Sequence, residues 1–430
     1  MSLSCHPRII VACLALAFGT AAVPAVAAPQ PSLTATQNKP NPAFERWSEQ
    51  FANERMQTEP ESATVSQYFD GARQQELDGK VKSISAADQA KRVATARAGL
   101  ARVDKFLAGP LSESQRVSAQ VLRFGLQKTI AGAPFEDHRF MFGQMDGPQV
   151  SYAKMLNVLH PMRRASDVDT YLSRLSKLAP LLDQALVRSR AASARKLLPP
   201  RYILERAQAQ VDAFVAPAPE QNVLLLSFSQ RLAAVPDMTP QARAVALAKA
   251  TAIVSKDVLP AYGRIKTYLA EIKPATAEEG GLSRMPNGEA AYRQALYGFL
   301  GTDISPDAVH TIGLREVARI EGLMDRHLRT LGFNDGSIKE RMAALDKSLQ
   351  PKGEGDPRAA LLARYTEIMR DSETRAAPLF LRKPRAPVEV RREPPLTEAT
   401  AAASYMVAAR DGTRPGVFSV PMPGPNFEMT

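Results

Sequence analysis

The sequence predicts a mainly α protein, one large multi-helix domain with a short β-hairpin or small sheet near its C-terminus. Three observations carry this expectation. Of 430 residues, 45% are apolar and 23% charged but only 6% aromatic, and the abundance of Ala, Leu and Arg favours helix over sheet. Helix-start signals recur along the chain, each followed by an apolar stripe of helical period. Only from about Pro384 onward does the pattern become extended.

The first residues, "MSLSCHPRIIVACLALAFGTAAVPAVAAPQ", carry Arg8, then an apolar run from Ile9 to about Val23, then small residues at Ala25 and Ala27. This is the form of an export signal over residues 1–27, cut after Ala27 or Ala28, and the run is too short for a stable membrane span. "IVAC" before Cys13 loosely imitates a lipoprotein processing site, but ten more apolar or small residues follow that cysteine. Cys5 and Cys13 are the only cysteines. They leave with the signal, so the exported chain can hold neither a disulfide nor a thiolate-bound metal. The net charge of +11 becomes +10 without Arg8. Its signs are interspersed, which argues against nucleic acid as a partner and leaves a dispersed basic surface, with weak attraction to anionic envelope polymers as the other reading.

Residues 28–42 read as a flexible leader. Residues 43–273 read as an N-terminal helical region and residues 274–430 as a second helical region with a C-terminal extended segment. Helix starts are marked by Ser85 with Asp88, Ser112 with Gln115, Ser166 with Asp169 and Ser337 with Glu340, all at capping-box spacing or close to it. Thr239-Pro240, Ser305-Pro306 and Asp356-Pro357 place an N-cap residue before a proline at the first helical position. The stripes that follow include Val93, Leu100, Val103 and Leu107, and then Leu172, Leu175, Leu178, Leu182 and Leu186. A third runs Val309, Ile312, Val317, Ile320, Met324, Leu328 and Leu331, and a fourth Leu361, Leu362, Tyr365, Ile368 and Met369. Such faces are expected to surround a shared core. "PATAEEGGLSRMPNGE" (274–289) is a turn-rich crossing. "YMVAARDGTRPGVFSV" reads as two strands around a Gly-containing turn, a hairpin that needs another strand or a helix to cover it.

No catalytic constellation stands out. The exported chain has four histidines, His138, His160, His310 and His327, with no HExxH among them. His310 and His327 fall on the periodic helix 306–331 as surface or helix-end residues. His138, beside Glu136 and Asp137, reads as a structural loop residue. GxSxG is absent, and Glu278-Glu279 and Asp167 with Asp169 are ordinary acidic pairs at turns and helix starts.

At residues 280–324 the sequence resembles the bacterial proteins grouped as domain of unknown function 885. The likeness rests on Pro286, Gly288 and Tyr292 in a P-x-G-x-x-x-Y element, and on Thr302, Ile304, Ser305 and Pro306. A helix with Gly313, Glu316, Val317, Arg319 and Ile320 completes it. "LPPRYILERA" (198–207) is similar to that family's Pro-Pro-Arg element, and "DGTRPGVFSV" to its D-x-x-R-P-G turn. The resemblance implies an exported, largely helical, zinc-dependent peptidase-like hydrolase with a peptide substrate. Its metal helix, H-E-x-x-P-G-H-H, would follow the turn at 411–416, and the sequence reaches Thr430 without it. A truncated, catalytically inactive form with no cofactor of its own is therefore expected, with zinc belonging to a full-length relative. Asn287, Tyr292 and Arg414 are the residues implied to face substrate, Arg414 by gripping a peptide carboxylate. An exported non-catalytic binding or scaffold protein is the alternative.

Overall fold

The computed structural model describes residues 39–349, 356–380, 384, 386–394, 398 and 401–423. The export signal and most of the leader lie outside them. The helices are α1 (Pro42–Gln57), α2 (Pro60–Ser66), α3 (Gly71–Asp78), α4 (Ala86–Leu107), α5 (Glu113–Gly132), α6 (Pro148–Lys154), α7 (Ala165–Ser176) and α8 (Leu178–Ala194). They continue with α9 (Arg201–Val215), α10 (Val223–Ala233), α11 (Pro240–Ile253), α12 (Leu259–Ile272), α13 (Gly288–Leu300), α14 (Pro306–Thr330), α15 (Ile338–Leu349) and α16 (Arg358–Ala376). Three strands follow: β1 (Val388–Arg392), β2 (Ser404–Met406) and β3 (Gly416–Val420). The mainly α expectation with a small C-terminal sheet holds.

Most helix starts form as the sequence predicts. Ser112 Oγ accepts from Gln115 N, and the Gln115 side chain reaches back to Ser112 N, a full capping box. The same Gln115 Oε1 accepts from Asn41 N at 2.8 Å, so this cap also fixes the start of α1. Ser85, Thr239 and Ser305 cap α4, α11 and α14. Ser166 does not cap α7. Arg164 holds the N-cap position, and the Asp167 carboxylate accepts from Arg163 N at 2.7 Å instead. At Asp356-Pro357 the helix starts one residue later than expected, with Asp356 Oδ1 accepting from Arg358 N at 3.0 Å. The leucine stripe of 172–186 spans two helices, because the chain bends at Lys177 between α7 and α8.

The main core gathers α6 to α12 around Leu178, Leu182, Leu204, Phe228 and Ile265. Tyr262 stacks on Phe214 with ring centroids 3.8 Å apart. A second cluster joins α1, α4 and α5, where Phe44, Trp47, Phe51 and Phe106 meet edge to face or stacked. The hairpin forms with β2 antiparallel to β3, Tyr405 opposite Phe418. Its support comes from upstream: β1 pairs parallel to β3, with Val390 opposite Phe418. On α16, Tyr365 lies 6.3 Å from the Phe418 ring.

The stripe on α14 departs from expectation. Leu328 is buried, but Ile312, Val317 and Ile320 are 40%, 54% and 46% exposed. The helix docks through its C-terminal part, where Asp325 Oδ1 accepts from Arg341 of α15 at 2.7 Å. Its N-terminal half lies in solvent with an amphipathic pattern intact.

Candidate functional site

Two of the motif segments meet at one end of the core. The crossing at 274–289 folds onto the start of α9. Arg201 N donates to Ala277 O at 2.8 Å and Arg201 Nη2 to Thr276 O at 2.8 Å. The 3-10 turn Leu282–Arg284 then packs Leu282 and Met285 against Phe140, Ala192 and Leu197. Asn287 adopts a left-handed backbone, φ 55°, and opens α13 without a side-chain capping bond. Gly288 follows because nothing larger fits, since a Cβ there would lie 1.8 Å from Leu282 O. His138 fixes the same loop by donating from Nε2 to Pro286 O at 2.8 Å. The carbonyl can only accept, so this nitrogen carries the proton. Asn287 and Tyr292 are both exposed on this rim.

A cavity of about 40 Å³ is bordered by Glu136, Asp137, Phe140, Arg188, Ser189 and Tyr268, and its residues Phe140, Ala192 and Leu197 also pack against Leu282 and Met285. The cavity has room for about one to three waters, and the Ser189 hydroxyl there is buried with no protein partner among the described residues. The acidic pair beside His138 is taken up by α8. Asp137 bonds both Arg188 and Arg195, and Glu136 lies 3.5 Å from Arg92. Burial works against the Asp137 carboxylate, but the two guanidiniums outweigh it and hold its pKa below the usual range. A signal for this pairing was present in the sequence, since Arg188 and Arg195 stand seven residues apart, on one face of a helix.

Arg414 lies in a different neighbourhood. Its Nη2 donates to Val65 O at 2.6 Å, and Arg410 N to Ser66 O at 2.8 Å, so the turn at 411–416 closes the C-terminal end of α2. Arg163 reaches the same turn, donating to Thr413 Oγ1 at 3.1 Å and to Gln67 Oε1 at 3.1 Å. Arg414 bonds to Val65 O of α2 and to Pro415 O, while the loop carrying Asn287 is held by His138 and packs on Phe140, Ala192 and Leu197.

Between these regions is a buried polar network that sequence reasoning missed. Arg174 of α7 is fully buried. Its Nε donates to Lys80 O and its Nη2 to Leu77 O and Thr64 Oγ1, each at 2.8 Å. Its Nη1 faces His160 Nδ1 at 3.1 Å. Guanidinium can only donate, so Nδ1 is the acceptor and His160 is neutral, with its Nε2 proton toward Asp167 O at 3.3 Å. Burial first, then the Arg174 charge, push the His160 pKa well below its ordinary value. Asp78 accepts from Thr64 at 2.7 Å and from Gln74 at 2.8 Å, yet burial still raises its pKa.

A known family matches most of this chain. The bacterial proteins of unknown function grouped as domain of unknown function 885 match over residues 60–429. The chain belongs to that family. No curated protein matches it. Among solved structures it is similar to a protein of Colwellia psychrerythraea assigned as a lipoprotein, at TM-score 0.75 and 22% identity, over 88% of this chain and 68% of that one. It is also similar to a protein of unknown function from Shewanella oneidensis, likewise assigned as a lipoprotein, at TM-score 0.58 and 15% identity. That match covers 89% of this chain and 65% of the other, so the chain spans about two thirds of the length of both.

For this member of domain of unknown function 885, the donors described do not fit a zinc centre. Zinc needs ligands converging on one point at about 2 Å. His160 Nδ1 is occupied by Arg174, and His138 donates from Nε2 to Pro286 O, which leaves its buried Nδ1 without a partner among the described residues. His310 and His327 are exposed on α14, about 25 Å apart at the rise of a helix. Among the described residues no three His, Cys, Asp or Glu side chains gather in a metal-holding group.

Proposed function

We propose that this chain is the helical scaffold of an exported, peptidase-like hydrolase, and that on its own it neither hydrolyses peptides nor retains zinc. One observation carries the second half of the reading: His160 is committed to Arg174, and no three His, Cys, Asp or Glu side chains gather among the described residues. The first half is supported by family membership and by the residues of the resemblance set out above. The leader-like start of the sequence supports export, as does the assignment of both similar chains as lipoproteins. None of the described helices is long and apolar enough to cross a membrane.

In this reading the exposed Asn287 and Tyr292 face a peptide. Arg414 takes its carboxylate by giving up the bond to Val65 O. The test is zinc content after dialysis, together with turnover of a mixed peptide library by the chain from residue 28. The expected result is no bound zinc and no turnover. About one equivalent of retained zinc with chelator-sensitive cleavage would overturn the reading. The same observation favours a second function, an exported non-catalytic binding protein. Calorimetry tests it, since it predicts saturable peptide binding without zinc, weakened in Tyr292→Ala, and absence of such binding would overturn it.

A further inference from the structure

We propose that His160 is an acid-responsive latch, which holds the turn at 411–416 closed onto α2 and releases it when the surroundings of the exported chain become acidic. The imidazole is buried, at 1% exposure, and a hydrogen-bonded route leads from each of its nitrogens to that one turn. From Nδ1 the route passes to Arg174 Nη1 at 3.1 Å, and from Arg174 Nη2 to Thr64 Oγ1 at 2.8 Å. The next two residues of α2 seat the turn, since Val65 O accepts from Arg414 and Ser66 O from Arg410 N. From Nε2 the route passes to Asp167 O at 3.3 Å. The Asp167 carboxylate holds Arg163, whose guanidinium grips Thr413 Oγ1 and Gln67 Oε1, each at 3.1 Å.

The latch needs a neutral ring. A proton on Nδ1 would remove the acceptor that Arg174 uses and set two cations 3.1 Å apart. The charges that bear most on the ring are also cations: Arg174 of α7, Arg231 of α10, which donates to His160 O, and Arg163 before α7. Tyr171 meets the ring edge to face. Carboxylates stand one step further out. Asp167 is bonded by Arg163 and Arg164, Asp78 of α3 and Glu61 of α2 surround Arg174, and Asp411 lies 3.8 Å from Arg163. A proton therefore binds where the ring reaches water, and below about pH 6.5 each pH unit raises the open population about tenfold. Asp78 titrates in the opposite sense, because burial raises its pKa in the fold, so the effect of His160 is isolated by a variant lacking it.

Hydrogen exchange followed by mass spectrometry reads the latch, with rates corrected for the intrinsic pH dependence of exchange. In the chain from residue 28, the turn is followed through the bonded amides of Ala409, Arg410 and Gly412 and compared with α12. The turn amides are expected to exchange at least about tenfold faster than those of α12, through a local opening. Between about pH 7.5 and 5 their protection should fall about 30-fold, with an onset near about pH 6.5. In His160→Gln, where an amide oxygen can still accept from Arg174, that fall should be absent. A turn whose protection ignores pH would overturn the proposal. So would a turn no less protected than α12, because only unfolding of the whole chain would then release it. An onset near about pH 4, or an equal fall in folded His160→Gln, would assign the release to another group and overturn it too. Should His160→Gln not fold, the onset in the native chain decides. None of the readouts involves zinc or hydrolysis, so failure of the latch and failure of the hydrolase reading remain distinct.

Discussion

The α7–α8 pair and α14 carry equally regular apolar stripes, and the fold treats them in opposite ways. Leu175, Leu178 and Leu182 are at most 1% exposed, packed among α9, α10 and α12, whereas Ile312, Val317 and Ile320 face water. The difference lies outside the helices themselves. A 3.6-residue period specifies which face of a helix is apolar, and it says nothing about what that face meets. Burial is contributed by the partner, and α7–α8 has one along its length while α14 meets α15 only toward its C-terminal end. The contrast yields four expectations, from the largest effect to the smallest.

The largest is at Arg174. Replacing it with Met keeps the volume but takes the Arg174 donor from Lys80 O, Thr64 Oγ1 and His160 Nδ1, while Leu77 O keeps its bond from Lys80 N. Breaking a buried charge network in this way costs about 3–5 kcal/mol, and a urea midpoint should fall accordingly. An unchanged midpoint would mean that the network contributes nothing to α7's hold on α2 and α3. Next comes Leu182→Ala, in a side chain with no exposed surface. Lost transfer energy and the cavity left behind predict about 2–5 kcal/mol. A loss under about 1 kcal/mol would erase the distinction between the two stripes.

Much of α7–α8 was legible in the sequence because its determinants are local. Its leucines recur at helical spacing, and elsewhere the caps Ser112 of α5, Thr239 of α11 and Ser305 of α14 likewise act within a few positions of themselves, whereas Ser166 does not cap α7. Arg174 was not legible, since its acceptors lie at Thr64, Leu77 and Lys80, and nothing about one arginine in a helix marks it as buried. The exposure of α14 was hidden for the same reason, because its stripe has the same period as a buried one. At the candidate site, the loop around Asn287 was visible as a turn, and Gly288 within it is explained by Leu282 O. The sequence also marked the 411–416 turn. What it could not convey was placement: Arg414 closes α2, while the loop carrying Asn287 is held by His138 and packs on Phe140, Ala192 and Leu197.

The third expectation concerns pH. Folding holds His160 neutral, with its pKa well below the ordinary value, whereas in the unfolded chain it titrates near about 6.5. Below that pH the unfolded state binds a proton that the folded state does not, so stability is full above it and falls as pH drops. The slope from this group is about 1.4 kcal/mol per pH unit, down to its folded pKa. Asp78 acts in the opposite sense, because its folded pKa is raised. The informative quantity is therefore the difference between the native chain and His160→Gln, in which an amide oxygen can still accept from Arg174. Between about pH 6.5 and 5 the native chain should lose stability more steeply than the variant, and parallel curves would show that His160 is protonated in the fold.

The smallest effect is expected at Ile320→Ala, the counterpart of Leu182→Ala. The side chain is 46% exposed, so truncation removes little buried surface and opens no enclosed cavity. Alanine is also the better helix former, by about 0.4 kcal/mol over a β-branched residue. The two contributions oppose each other, and the net change should lie within about 0.5 kcal/mol of zero. A destabilisation of about 2 kcal/mol or more would mean that Ile320 is covered in solution. Repeating the measurement over a hundredfold range of protein concentration would then identify the cover, since burial by a second copy makes the loss depend on concentration and burial within one chain does not.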